Sequence, residues 1–177
     1  YVHELCRVGT QRGHIVQPLL FDQLVAKVRI GRVEFTCGEI DLSSLDVILV
    51  RTMPPGSLEQ VVARMDMLSG LEACGVQVIN SPKSLECAVD KYLTTQRLAL
   101  AGIPIPDTIV CENAEAAMGA FESLGRDILI KPLFGAEGRG IVRISDPELA
   151  LRAFRTIERL EAEMYLQKFV AGPGFDI

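Results

Sequence analysis

Short apolar runs alternate along the chain with segments whose apolar residues recur at helical spacing. Runs bounded by glycine, proline or polar turn residues predict strands at 14–20, 25–30, 33–37, 46–51, 76–79, 108–111, 128–130, 141–144 and 164–170. Apolar residues three or four positions apart predict helices at 1–13, 57–74, 81–101, 113–124 and 147–162. Strands that alternate with helices indicate an α/β fold with helices on the faces of a parallel sheet.

Two residues directly follow or end predicted parallel strands. Arg51 ends the strand at 46–51, and Asn80 follows the strand at 76–79. Ligands of such sheets bind at the carboxyl ends of strands, so both residues are candidates for substrate binding. The alternative is structural, with Arg51 paired to a surface acid and Asn80 in a turn.

Helix signals in the sequence also suggest where the domains meet. Ser57 and Gln60 have the spacing of a capping box and predict the start of the helix at 57–74. Ser81 and Pro82 begin the next helix, with proline in its first turn. We expect the boundary between a first and a second domain near Glu86, just before or within this second helix.

Composition restricts the function classes. The 177 residues suit one large domain or two small ones, and the net charge of −5 offers no overall attraction for nucleic acid or an anionic membrane. No apolar run is long enough to span a membrane. The five widely spaced cysteines predict reduced thiols in a cytoplasmic protein. The chain starts without methionine and ends on a strand-like segment, so we expect it to be cut at both ends.

The segment 127–145 reads as strand, glycine-rich turn, strand. Pro132 ends the first strand directly after Lys131. Gly135, Gly138 and Gly140 let the backbone adopt positive φ, and their N–H groups can form an anion site. A dinucleotide fingerprint needs a helix after the glycines, but a strand follows here. We interpret the segment as a hairpin flap over phosphates with the lysine beneath it. The alternative is an ordinary hairpin tip with a lysine that aids solubility.

An ordered set of motifs resembles the ATP-grasp ligases, and more narrowly the RimK-type glutamate ligases. The motifs are INSP…DK…T…L…AGIPIP over 79–106, ILIKPLFGAEGRGI over 128–141 and YLQKFV…G.DI over 165–177. The resemblance implies a pre-ATP-grasp α/β domain at 1–86 and the first ATP-grasp subdomain with its flap at 87–164. It implies the first strand of the second subdomain at 165–177, with the rest expected beyond Ile177.

The resemblance also implies roles for individual residues. Lys91 would reach the nucleotide phosphates, and Lys131 would bind the α- and β-phosphates and border the adenine pocket. Asp176 would be an acidic residue near the nucleotide. The flap that closes over the triphosphate would comprise Gly135, Glu137, Gly138, Arg139, Gly140 and Ile141. The hinge that lines adenine, mostly through backbone groups, would comprise Gln167, Lys168, Phe169 and Val170. Lys168 stands where many relatives have glutamate.

The activity that the resemblance implies is ATP-dependent carboxylate–amine ligation through an acylphosphate, adding glutamate to an acceptor carboxylate. The implied cofactors are ATP and Mg²⁺ or Mn²⁺, with the metal ligands and catalytic residues expected beyond Ile177. We therefore expect this chain alone to lack ligase activity. Two alternatives stay open: a non-catalytic nucleotide-binding regulatory module, and an ATP-grasp ligase for a different amino acid. Without the rest of the second subdomain, the apolar face that it would cover is open, so homo-oligomerisation through that face is a further expectation.

Overall fold

The computed structural model describes residues 1–135 and 138–172. The chain divides into two compact units, Tyr1–Glu86 and Cys87–Ile177, and each unit has its own hydrophobic core. All five cysteines are free thiols. Within the described residues, the helices are too short or too polar for any of them to traverse a lipid bilayer.

The first unit contains a three-stranded antiparallel sheet and a two-stranded parallel sheet. Its elements in chain order are α1 (Val2–Gln11), β1 (Leu24–Arg29), β2 (Arg32–Cys37), β3 (Ile40–Asp41), β4 (Val47–Leu49), α2 (Leu58–Ala73) and β5 (Gln77–Ile79). Two short 3-10 helices lie at Phe21–Gln23 and Leu42–Ser44. The strands predicted at 25–30 and 33–37 pair as an antiparallel hairpin, and the predicted parallel pairing is confirmed for β4 with β5.

Helix α2 begins where the sequence predicts. The Ser57 hydroxyl accepts from the Gln60 N–H at 3.2 Å, and the Gln60 side chain accepts from the Ser57 N–H at 3.0 Å, so the capping box is confirmed. The helix packs on a core that includes Phe35 and Leu71. Gly70 lies so close to the Phe35 ring that an added Cβ would be 2.5 Å from it, which leaves room for glycine alone.

Two predicted elements differ from the structure. Residues 14–20 form no strand: Ile15 is exposed, and Leu19 packs on the core of the first unit without pairing in a sheet. The single helix predicted at 81–101 is two helices, α3 (Pro82–Val89) and α4 (Lys91–Leu100). They separate at Asp90, which adopts an extended conformation and accepts a 2.9 Å hydrogen bond from the Leu93 N–H as the N-cap of α4.

The second unit continues with a four-stranded antiparallel sheet and two helices. Its elements after α4 are β6 (Thr108–Cys111), α5 (Ala114–Ser123), β7 (Ile128–Lys131), β8 (Val142–Ile144), α6 (Pro147–Arg159) and β9 (Met164–Lys168). The strand order is β6-β9-β7-β8. Because β9 lies between β6 and β7, the sheet has no break at 165, where a further subdomain is predicted to start. That division stays a prediction.

The two faces of this sheet differ in chemistry because side chains alternate along each strand. One face carries Ile128, Ile130 and Leu166, which pack with Phe121 of α5 and Phe154 of α6 in a closed core. Burying each such side chain contributes about 1.5–3 kcal/mol. The opposite face carries the residues at the alternate positions, namely Leu129, Lys131, Arg143, Tyr165 and Gln167. Most polar side chains of β7, β8 and β9 therefore lie on one surface, and Lys168 at the end of β9 is an exception.

Candidate functional site

Lys131 ends β7 on the polar face of the sheet. Its Nζ donates a 2.6 Å hydrogen bond to Oε1 of Gln167, on the neighbouring strand β9. Partial burial lowers the pKa of Lys131, because the ammonium group loses part of its hydration. The acceptor is a neutral carboxamide, so this contact orients the ammonium group without cancelling its charge.

Lys91 is the first residue of α4. Its Nζ donates to the carbonyl oxygens of Gly135 at 2.8 Å and Leu133 at 3.4 Å, and its backbone N–H donates to Leu133 at 3.3 Å. Burial and then repulsion by Lys131 lower the pKa of Lys91, while the nearby Asp90 carboxylate opposes this. A cation at the positive end of a helix is also unfavourable by itself. The arrangement therefore favours an anion at this place.

The two ammonium groups line one open cleft of ≈ 230 Å³ in the second unit. Its lining residues are Ala88, Lys91, Thr94, Thr95, Lys131, Tyr165 and Gln167. Among the residues that the structure describes, neither lysine forms an ion pair with a carboxylate. Two partly desolvated cations with free N–H capacity suit the oxygens of a polyphosphate.

A second concavity of the same unit has the opposite charge. It measures ≈ 360 Å³ and is lined by Glu112, Glu158, Glu161, Ala162 and Glu163. Burial and a hydrogen bond with Glu112 raise the pKa of Glu163, as expected for crowded carboxyl groups. Although it is larger, this concavity would repel a phosphate, so the lysine cleft is the candidate site.

The glycine-rich turn lies between the strands of the β7-β8 hairpin, and the hairpin is confirmed. Gly135, Gly138 and Gly140 all have positive φ, at 124°, 71° and 75°. A Cβ on Gly140 would lie 2.8 Å from Cγ of Pro132, so this turn packs closely on the residue after Lys131. Arg139 and Ile141 are exposed in and after the turn, and Glu137 lies outside the described residues.

The residues proposed as an adenine hinge follow Gln167 along β9. The Lys168 N–H donates to Asp107 O at 2.9 Å, and its side chain is exposed. The Phe169 N–H donates to Asp127 O at 2.9 Å, and its ring is half-buried. Val170 is exposed, and Asp176 lies outside the described residues.

Several residues of this surface were missed by sequence reasoning. Arg143 lies 3.5 Å from the centre of the Phe169 ring and donates two hydrogen bonds to the Asp127 carboxylate, at 2.8 and 2.7 Å. The Tyr165 hydroxyl meets Thr95 Oγ1 at 2.6 Å. The alternation along the strand could have placed Tyr165 beside Gln167, but no local signal points to their partners.

The two candidate substrate residues lie in the first unit. Their strands end side by side, since the Val50 N–H donates to Ile79 O at 2.7 Å. The Arg51 guanidinium donates to the Tyr1 hydroxyl at 2.7 Å and lies 4.6 Å from that ring. Among the described residues, its partner is therefore the aromatic Tyr1 and not a surface acid. Asn80 is exposed after β5.

Comparison with known proteins gives the fold and identifies similar proteins. No family model matches the chain. It is 38% identical over 177 residues to a tetrahydromethanopterin:alpha-L-glutamate ligase of Methanosarcina acetivorans, an alignment that covers 90% of this chain and 54% of that protein. It also superposes on a RimK domain ATP-grasp protein of Sphaerobacter thermophilus with a TM-score of 0.73 and 21% identity, over 96% of this chain and 59% of that one. The chain has the ATP-grasp fold, and over most of its length it is similar in sequence to glutamate ligases. These findings confirm the resemblance inferred from the motifs.

A further relative of this ATP-grasp chain is a glutamate–LysW ligase, ArgX, of Sulfurisphaera tokodaii. The two are 45% identical over 76 residues, which cover 43% of this chain and 27% of that protein. The ATP-grasp chain spans about half the length of the curated relatives that it matches along most of its sequence. The similarity therefore covers only about half of those ligases.

Proposed function

We propose that the protein containing this chain is an ATP-dependent ligase that joins the amine of glutamate to an acceptor carboxylate. The observation that carries the proposal is the pair of ammonium groups, Lys91 and Lys131, in one cleft beside a glycine-rich turn. The names of two relatives, both glutamate ligases, support the choice of amino acid.

The reaction proceeds in two steps. An oxygen of the acceptor carboxylate attacks the γ-phosphorus of ATP, forming an acylphosphate and ADP. The amine of glutamate then attacks the acyl carbon, phosphate leaves, and the nitrogen loses a proton. In this chain, Lys91 and Lys131 bind and orient the phosphates and offset their charge. The backbone of 167–170, with Phe169 as an apolar wall, borders the adenine.

Magnesium is the metal that such phosphate chemistry implies. The residues that line the cleft do not fit a magnesium site, because they offer two ammonium groups and neutral side chains but no carboxylate. Within the described residues, no group of three or more histidine, cysteine or acidic residues is placed to hold a metal ion. We therefore assign no metal ligand and no metal-dependent step to this part of the protein.

The test uses the intact protein with ATP, Mg²⁺, glutamate and a panel of acceptors headed by tetrahydromethanopterin and LysW. We expect phosphate release that requires both glutamate and an acceptor, and hydroxylamine should trap the acylphosphate as a hydroxamate. Lys131→Met should reduce turnover at least ~10-fold, because it removes a charge that stabilises the transferring phosphoryl group. Lys27→Met, at an exposed position on β1, is the matched control. Nucleotide binding without hydroxamate or phosphate release would favour the non-catalytic module.

We also propose that the protein is cytoplasmic. All five cysteines are free, and Cys74 is exposed, which suits a reducing compartment. Alkylation of the protein in intact cells would label Cys74 if it is reduced there, and a mixed disulfide at this position would contradict the placement.

A further inference from the structure

We propose that Gln167 and the Tyr165–Thr95 pair are positioning residues that hold the two lysines of the cleft against one strand, with Lys131 kept as an unneutralised cation. This inference rests on the proposed nucleotide site and adds to it the residues that set its geometry. None of the three side chains is assigned a direct contact with the nucleotide.

The first step is the burial of Gln167. With 8% of its surface exposed, it is the one buried polar residue among those described. A buried carboxamide is costly unless both of its ends find partners. Its Oε1 accepts from Lys131 at 2.6 Å, and its Nε2 donates to Thr108 Oγ1 at 2.9 Å and approaches the Tyr165 hydroxyl at 3.3 Å. Both ends are therefore satisfied, and the side chain is held in place.

The second step is the orientation of that carboxamide. The Thr108 hydroxyl donates its proton to Pro106 O at 2.9 Å, so it can only accept from Gln167. The NH₂ end of Gln167 must face Thr108, and the carbonyl end must face the Lys131 ammonium group. A flipped carboxamide would place donor against donor at Lys131 and acceptor against acceptor at Thr108. The acceptor for Lys131 is thus fixed by a chain of hydrogen bonds that starts at the backbone.

The neutral acceptor leaves the charge of the Lys131 ammonium group uncompensated. An ammonium group has three donors, and the contact with Gln167 uses one of them. Because the acceptor is neutral, the ammonium group keeps its full positive charge, and its remaining N–H groups can donate to phosphate oxygens. A glutamate of the same shape would form an ion pair with Lys131 and bring a negative charge into the cleft.

Lys91 is connected to the same strand through the hydrogen bond between Thr95 and Tyr165. Tyr165, which is 2% exposed, accepts a hydrogen bond from Gln167, and its hydroxyl shares a 2.6 Å hydrogen bond with Thr95 Oγ1. Thr95 lies one helical turn after Lys91 and shares its face of α4. The Tyr165–Thr95 bond therefore fixes the helix that carries Lys91 onto the strand that also positions Lys131.

The first test changes the charge of the acceptor. In the intact protein, Gln167→Glu should raise the Lys131 pKa, measured by ¹³C NMR of labelled lysines and assigned with Lys131→Met. It should also weaken binding of a non-hydrolysable ATP analogue at least ~10-fold, through repulsion of the phosphates. Gln96→Glu makes the same change at an exposed site of α4 and should leave both quantities unchanged. An unchanged Lys131 pKa in Gln167→Glu would overturn the proposal.

The second test removes the hydroxyl contact. Tyr165→Phe and Thr95→Val should each weaken binding of the ATP analogue roughly 2- to 10-fold, the loss expected for one hydrogen bond. Thr95→Ser keeps the hydroxyl and should restore binding. Tyr92→Phe removes an exposed hydroxyl from the same helix and serves as the control. Equal affinities for Tyr165→Phe and Tyr92→Phe would refute the role of the pair.

The two proposals fail in different ways. If the parent protein does not bind the ATP analogue, the proposed function is wrong. The Lys131 pKa in Gln167→Glu is measured without nucleotide, so it still decides whether Gln167 positions an unneutralised cation.

Discussion

The Nζ atom of Lys91 donates a 2.8 Å hydrogen bond to the carbonyl oxygen of Gly135, which joins the start of α4 to the start of the glycine-rich turn. A phosphate in the cleft would compete for the same ammonium group, because it is a charged and stronger acceptor than a peptide carbonyl. Phosphate binding should therefore replace the hydrogen bond between Lys91 and Gly135.

Lys91→Met should loosen the chain around Leu133, because this substitution removes both side-chain contacts to the Leu133 and Gly135 carbonyl groups. We expect chymotrypsin to cleave after the exposed Phe134 about 3- to 10-fold faster, in line with the loss of roughly one hydrogen bond. Limited proteolysis followed by mass spectrometry measures this rate. Lys27→Met is the control, and equal cleavage rates in the two variants would show that the lysine does not hold the turn.

The lowered pKa of Lys131 has a consequence for stability at alkaline pH. Between its folded pKa and the unfolded value of about 10.4, the unfolded chain binds more protons than the native one. The free energy of unfolding that depends on this group therefore rises with pH in that window. The stability of the parent relative to Lys131→Met should therefore increase as the pH rises towards about 10.4, and the increase should be modest because solvent screens a partly exposed group.

Urea unfolding of both proteins across this pH range measures the shift. Comparing slopes removes the constant cost of leaving Gln167 without its partner in the variant. A difference that stays flat with pH would mean that the ammonium group is as well hydrated in the folded protein as in the unfolded chain.

Asp127 should contribute to acid sensitivity, and its contribution rises with pH as that of Lys131 does, but in the acid range. Its hydrogen bonds from Arg143 lower its pKa below the usual value, so its contribution to stability is present above that value and is lost as the pH falls through the folded pKa. Asp127→Asn should lower the thermal midpoint slightly at pH 7. It should also reduce the fall of the thermal midpoint between pH 5 and pH 2. Circular dichroism melts measure both. Asp107→Asn, at an exposed site of the same unit, should reproduce the parent's acid sensitivity.

The elements that sequence could predict are those specified by neighbouring residues. The Ser57–Gln60 capping box, the Asn113 cap of α5 and the strands on either side of the glycine-rich turn all follow from spacing along the chain. The break at Asp90 does not, because apolar spacing continues across it and the N-cap is one polar residue among several. Residues 14–20 show the reverse error, since a strand-like composition forms no strand without a partner.

The candidate site shows the same limit. The motif around Lys131 predicts its role, and the structure places Lys131 with Lys91 in the cleft. The contact between Lys131 and Gln167 depends on the β7-β9 register, which joins residues 36 positions apart. The contacts among Asp127, Arg143 and Phe169 need β7, β8 and β9 to lie side by side. Such contacts are set by packing across the sheet, and no local pattern encodes them.

Two glycines of the turn separate backbone strain from steric contact. Gly138 and Gly140 both have positive φ, so alanine at either position costs about 1–2 kcal/mol of backbone strain. Only at Gly140 would the new Cβ also meet Pro132, at 2.8 Å, while Gly138 faces open space. We expect Gly140→Ala to destabilise the second unit by a further ~1–3 kcal/mol, the usual cost of overpacking, and to weaken nucleotide binding more than Gly138→Ala. Urea unfolding and titration with an ATP analogue compare the two variants. Equal losses in both would mean that the turn moves away from Pro132 at little cost, and that its close packing beside Lys131 is not what shapes the cleft.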